Sequence, residues 1–169
     1  MNKIERTIKI TIATLVAIVI ASYLHLNNAS SAGIIAILSV LETKQSTLKV
    51  ALQRLLAFIL AFSIASLLFS YFGYTLIVFG IFLLIYIPFA YQFNLETGVA
   101  PITVLVTHIY GIKQVSLDLI GNEFLLFFIG VSAALCCNTY MSSFEKEIQE
   151  KHIDVEQYLK QFFFILNLS

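Results

Sequence analysis

Two ionisable residues stand where charge is expensive. Arg54 immediately precedes an uncharged run from Leu55 to Leu95, and Glu123 immediately precedes another from Phe124 to Phe144. A charge at the centre of a bilayer costs about 2.5 to 3.5 kcal/mol, so both placements suggest work. The guanidinium would attract an anionic group in a polar cavity, and the carboxylate would exchange a proton across a shared wet crevice. The plainer reading is that both snorkel toward headgroups or pair with each other structurally. Helical spacing sets Arg54 on one face with Ala61 and Ala65, and Glu123 with Gly130 and Ala134. Small residues let helices approach closely, so both charges should face protein rather than lipid. His108 and Glu96 are further candidates for carrying protons, although a membrane histidine more often bonds a neighbouring helix. Cys136 and Cys137 are adjacent in an apolar run, which suits neither a disulfide nor a metal. No metalloprotease, phosphate-loop or Ser-His-acid pattern is present, so neither an enzyme nor a cofactor or metal site is expected.

The elements that hold these residues follow from composition. Of 169 residues, 59% are hydrophobic and 12% charged, with a mean hydropathy of +0.91, which excludes an ordinary soluble domain. Ten basic residues balance ten acidic ones, so nucleic acid is not an expected partner. Apolar runs long enough to cross a hydrocarbon core of about 30 Å break at polar or glycine-containing stretches. They predict an all-α membrane protein of six transmembrane helices near residues 7–26, 31–43, 48–72, 74–91, 98–110 and 119–141. Lys3, Arg6, Lys9, Lys44, Lys49, Lys146, Lys151 and Lys160 fall on one side and Lys113 on the other, which puts both termini in the cytoplasm. Residues 1–142 form the membrane domain. Residues 143–169 carry eight of the twenty charges, with Ile148, His152, Val155, Leu159, Phe162 and Leu166 at alternating spacings of four and three. They predict a cytoplasmic amphipathic helix whose apolar stripe needs a partner subunit or a further domain to cover it.

The second and fifth helices are short, and each follows a polar, glycine-containing stretch. Gly33 can be laid on Gly98, and Gln53-Arg54 on Asn122-Glu123. Three crossings per half reverse the second copy, so the expected architecture is two inverted three-helix repeats, as in secondary transporters. Free backbone N–H groups at residues 30–33 would face a pocket suited to a carboxylate. Pro101 is tolerated in a first helical turn, and Pro88 is read as a kink rather than a site.

The stretch Ala32-Gly33-Ile34-Ile35-Ala36-Ile37-Leu38, Thr43-Lys44, Arg54, Glu96-x-Gly98, His108-x-Tyr110, Asn122-Glu123 and Asn138-x-Tyr140-Met141 together resemble the membrane domain of the bacterial putative aromatic acid exporter family. That family is related to the fusaric-acid-resistance-like transporters. The resemblance implies six helices, a homodimer and export of aromatic or other organic carboxylates, with proton drive. On this chain it makes Arg54 and Glu123 the charged pair, Asn138 a polar partner, and Gly33 and Gly98 the short-helix entries; with the reading of the residues above, substrate binding is expected at Arg54, Gly33, Gly98 and Asn138, and proton coupling at Glu123, His108 and Glu96. It also implies a soluble domain after the last membrane helix, beyond Ser169. The expected setting is the bacterial inner membrane, with the lipid bilayer, small organic anions and a second copy as partners. A passive anion channel or a non-transporting membrane scaffold would use the same features differently.

Overall fold

The computed structural model describes residues 3–41 and 47–139. Lys44 and the expected amphipathic helix at 143–169 lie outside the described residues. Within them the chain forms six α-helices: α1 Lys3–Tyr23, α2 Ser30–Leu41, α3 Thr47–Phe72, α4 Leu76–Gln92, α5 Val99–Ile112 and α6 Leu117–Thr139. A 3-10 turn, Glu96–Gly98, leads into α5. α1, α3 and α6 are long and apolar enough to cross a membrane. α2, with 12 residues, and α5, with 14, reach only about 18 and 21 Å at about 1.5 Å per residue.

Local chemistry sets the ends. α1 stops three residues before the expected 26, where His25 takes a φ of 53° and the chain turns. Gly73, at φ 81°, ends α3 and donates its N–H to the Phe69 carbonyl at 3.1 Å; only glycine takes that conformation without cost. Thr75 caps α4 by accepting from the Val78 N–H at 3.3 Å. Ser116 caps α6 by accepting from Leu119 at 3.2 Å. Pro101 falls in the first turn of α5, where its missing N–H costs nothing. Pro88 lies inside α4.

The alanine stripe Ala13, Ala17 and Ala21 is fully buried and α1 packs along α2. A Cβ added to Gly33 would lie 2.7 Å from Ile18 of α1. Gly130 carries α6 onto α2, since a Cβ there would come 2.6 Å from the Ala32 carbonyl and 2.8 Å from Ile35. Ala57 and Gly98 bring α3 against the start of α5, and α4 rests on α3. Close approach through small residues replaces the hydrophobic drive that lipid cannot supply. The outer surface carries exposed Leu67, Ile77, Leu84 and Phe128, a covering that water would not tolerate and hydrocarbon does. Between α1 and α6 an apolar groove of about 1080 Å³ is lined by Ile12, Val16, Ile20, Phe128 and Cys136.

Candidate functional site

Each charge has its own cluster. Arg54 is 1% exposed. Its Nε donates to the Thr97 carbonyl at 3.1 Å, Nη2 to the Leu38 carbonyl at 3.4 Å, and Nη1 to the Ser39 hydroxyl. One side chain thereby ties the end of α2 to the turn that starts α5, and its positive charge meets the negative end of the α2 dipole. Gln53 adds a bond from Nε2 to the Asn94 carbonyl at 2.9 Å in the same turn. Arg54 and Asn138 are brought together. With Ser39, Val50 and Ala134 they line a cavity of about 10 Å³, room for one water.

Glu123 is fully buried. Its Oε2 lies 2.7 Å from His108 Nδ1, and its Oε1 accepts from Asn122 Nδ2 at 3.1 Å. His108 Nε2 lies 3.1 Å from the Ser31 hydroxyl at the start of α2. With an ionised carboxylate Nδ1 carries a proton; Nε2 then accepts from Ser31 when the imidazole is neutral and donates to it when the ring is protonated. The Asn122 carboxamide also clamps the α1–α2 turn: Oδ1 accepts from the Asn27 N–H at 2.9 Å, and Nδ2 donates to the Asn27 carbonyl at 3.1 Å. Beside it lies a cleft of about 210 Å³ lined by Asn27, Gln114, Ser116 and Asp118.

The expected shared crevice is absent from the described residues. Arg54 lines its cavity with Ala134, Leu135 and Asn138, so the start of α3 lies beside the end of α6 and the two helices are antiparallel. Ala134 is eleven residues beyond Glu123, about 16 Å of helix. Between the two levels Phe58, one turn past Arg54, stacks on Phe127, one turn past Glu123, at 5.6 Å, with Phe62 and Phe124 against Phe58. Nor do Arg54 and Glu123 pair with each other; packing aromatics between them leaves each to find nearer partners.

Two further expectations change. Gly33 and Gly98 are not equivalent, since Gly33 meets α1 whereas Gly98 meets Ala57 of α3. The N–H groups of Ser31 and Ala32 are not free; they donate to the Asn28 and Ala29 carbonyls at 2.8 and 3.2 Å, because the preceding turn winds directly into α2. Glu96 is exposed at the end of α5 opposite His108. The hydroxyls of Ser31 and Ser39, buried at 4% and 2% exposure, were not among the expected site residues, and Lys9, expected only as a cytoplasmic charge, is buried as well. A usable signal existed: Ser39 precedes Arg54 by fifteen residues and His108 precedes Glu123 by fifteen.

One spacing recurs through the molecule. α1 ends at Tyr23 and α4 at Gln92, and α2 begins at Ser30 and α5 at Val99, each pair 69 residues apart. The same separation holds for Ser39 and His108, Gln53 and Asn122, Arg54 and Glu123, and Phe58 and Phe127. After α1 the N–H groups of Leu24, His25 and Leu26 donate to Ile20, Ser22 and Ala21. After α4 those of Phe93, Asn94 and Leu95 donate to Phe89, Tyr91 and Ala90. His25 and Asn94 take φ of 53° and 55°.

Comparison with known proteins agrees with the helical pattern. Residues 1–141 match the family described as Aromatic acid exporter family member 1. The chain is 36% identical over 143 residues to the uncharacterized protein YqjA of Bacillus subtilis (strain 168), an alignment covering 85% of this chain and 44% of the relative. The chain thus spans less than half the length of that curated relative. No solved structure matches. With six helices among the described residues, three of membrane-crossing length, and a family match that spans all of them, this chain is a helical membrane protein that belongs to the aromatic acid exporter family.

Proposed function

We propose that this chain forms the membrane domain of a secondary transporter that exports small organic carboxylate anions, aromatic ones foremost, in exchange for protons. Its two halves, α1–α3 and α4–α6, are read as inverted repeats. The observation that carries this reading is the constant 69-residue separation, which matches Arg54 and Ser39 to Glu123 and His108. Phe58 and Phe127 touch each other, as equivalent residues on a two-fold axis do. Equivalent helices pack unequally: α4 rests on α3, whereas α1 and α6 leave a groove between them. Exchanging those two packings would turn the molecule to face the opposite solution, the essence of alternating access.

In this scheme Glu123 and His108 load and release a proton on one side, and Glu96 exchanges with the other. Arg54 holds the short helices together in the present state. When they part, its guanidinium, with Asn138 nearby, is exposed to an anion, and Gly98 leaves room for the backbone to approach. Gly33 serves as the seat of α2 on α1. The protein works as a homodimer in the bacterial inner membrane, with both termini cytoplasmic, on the asymmetry of Lys and Arg.

Purified protein in liposomes loaded with benzoate tests this reading, with other aromatic and aliphatic carboxylates in parallel. An exporter accumulates the anion against its gradient when a pH difference is imposed. A passive channel equilibrates it with a measurable current, and a scaffold moves nothing. Either of the last two results removes the proton-coupled reading. Arg54→Gln, followed for both flux and dimer yield, separates transport from assembly.

A further inference from the structure

We infer that Asn122 is a positioning residue that links the charge on Glu123 to closure of the α1–α2 turn; this rests on the proposed proton exchange at Glu123. The carboxamide uses both hydrogens of Nδ2, one on the Asn27 carbonyl at 3.1 Å and one on Glu123 Oε1 at 3.1 Å, while Oδ1 accepts from the Asn27 N–H at 2.9 Å. A single rotamer satisfies all three bonds. The bond to an ionised carboxylate is charge-assisted and roughly twice as strong as a neutral one, so an ionised Glu123 holds the carboxamide in the orientation that clamps the turn. Protonation weakens that hold. If the proton resides on Oε1, the oxygen becomes a neutral, weaker acceptor that also carries a donor, and the carboxamide is freer to turn away from Asn27.

The titratable and charged groups at this end of the bundle, among the described residues, are Tyr23 at the end of α1, His25 in the turn, Tyr71 and Tyr74 beside the α3–α4 turn, His108 and Tyr110 on α5, Lys113 after it, and Asp118 and Glu123 on α6. Of these, His108 directly bonds Glu123, and its other nitrogen faces Ser31. The α1–α2 turn is therefore joined to the buried pair from two sides, through Asn122 and through Ser31 at the start of α2. The 210 Å³ cleft beside Asn27 is the space into which a released turn would open.

Both bonds to Asn27 use its main chain, and its neighbour Leu26 is partly buried against the core, so Leu26→Cys leaves the clamp in place and provides a reporter that is covered while the turn is closed. In the full chain carrying Cys136→Ala and Cys137→Ala, the rate of maleimide labelling at position 26 is divided by the rate for Phe72→Cys, which is exposed at the end of α3. The ratio removes the pH dependence of thiol chemistry. We expect it to rise about tenfold from alkaline to acid pH, to stay at its high value in Glu123→Gln, and to be high at every pH in Asn122→Ala. Asn122→Asp is near-isosteric, retains an acceptor for the Asn27 N–H and removes the donor. It should show the same loss of pH dependence even if the alanine variant does not fold, and Asn122→Gln should restore part of it. A wild-type ratio that does not change with pH overturns the link. A pH-dependent ratio that is identical in Asn122→Asp overturns the role of Asn122 while leaving proton exchange at Glu123 intact. Failure of the benzoate flux alone would remove transport without touching the labelling result.

Discussion

Replacing Arg54 by Gln should destabilise the bundle. In the folded protein the guanidinium is almost completely buried and supplies donors to two main-chain carbonyls and one hydroxyl. Glutamine is too short and has too few donors to serve all three. The Leu38 and Thr97 carbonyls would lose a charged donor, and the cavity beside Arg54 holds only about one water. Each stranded buried acceptor costs about 1 to 3 kcal/mol, although hydrogen bonds between membrane helices measure toward the low end of such ranges. A total of about 2 to 4 kcal/mol is expected, roughly 30- to 700-fold in the ratio of folded to unfolded protein at about 1.4 kcal/mol per decade. Arg54→Lys should recover only part of this, because an ammonium cannot span three acceptors in different directions. The assay is unfolding in mixed detergent micelles followed by circular dichroism, with Ser39→Ala and the double variant completing a cycle. A loss below about 0.5 kcal/mol for Arg54→Gln would refute the latch, as would additivity between positions 54 and 39.

Three further expectations follow from packing and charge. Gly130→Ala would force a Cβ against the Ala32 carbonyl and Ile35, costing about 1 to 3 kcal/mol, whereas Gly80→Ala meets nothing within 4 Å and should be neutral or stabilising by up to about 1 kcal/mol; thermal unfolding in detergent reads both. Glu123→Gln can still accept from Asn122, so the protein should fold while uphill benzoate accumulation is lost and downhill flux survives; equal loss of both would count against proton coupling. Cysteines introduced in the α3–α4 turn should react with an impermeant maleimide from outside the cell and those in the 93–98 turn should not; the reverse pattern would invert the orientation.

Much of the architecture was legible because membrane physics leaves few choices. An uncharged apolar run in this chain must be a helix, as only a helix satisfies its own backbone in hydrocarbon. The polar breaks at residues 27–33 and 71–74 therefore located turns to within a few residues. The small-residue stripes beside Arg54 and Glu123 announced buried faces, and Ala61, Ala65 and Ala134 are indeed buried. The equal 69-residue separation of Gln53-Arg54 and Asn122-Glu123, on which the proposed repeat rests, is a property of the linear order. The match of Gly33 to Gly98 misled, because glycine in a membrane helix marks any close approach and does not say to which neighbour.

What the chain order alone determined is the number of helices, their short and long lengths and the presence of two charges that protein must shelter. Which groups those charges meet was decided by tertiary structure. Antiparallel packing of α3 and α6 sends Arg54 and Glu123 to different levels, with Phe58 and Phe127 between them. Ser39, Thr97, His108 and Ser31 then become the partners, from helices far apart in sequence. Periodicity reports which face of a helix is buried. It carries no information about the neighbour across that face, because hydrogen bonds between helices depend on how the helices cross.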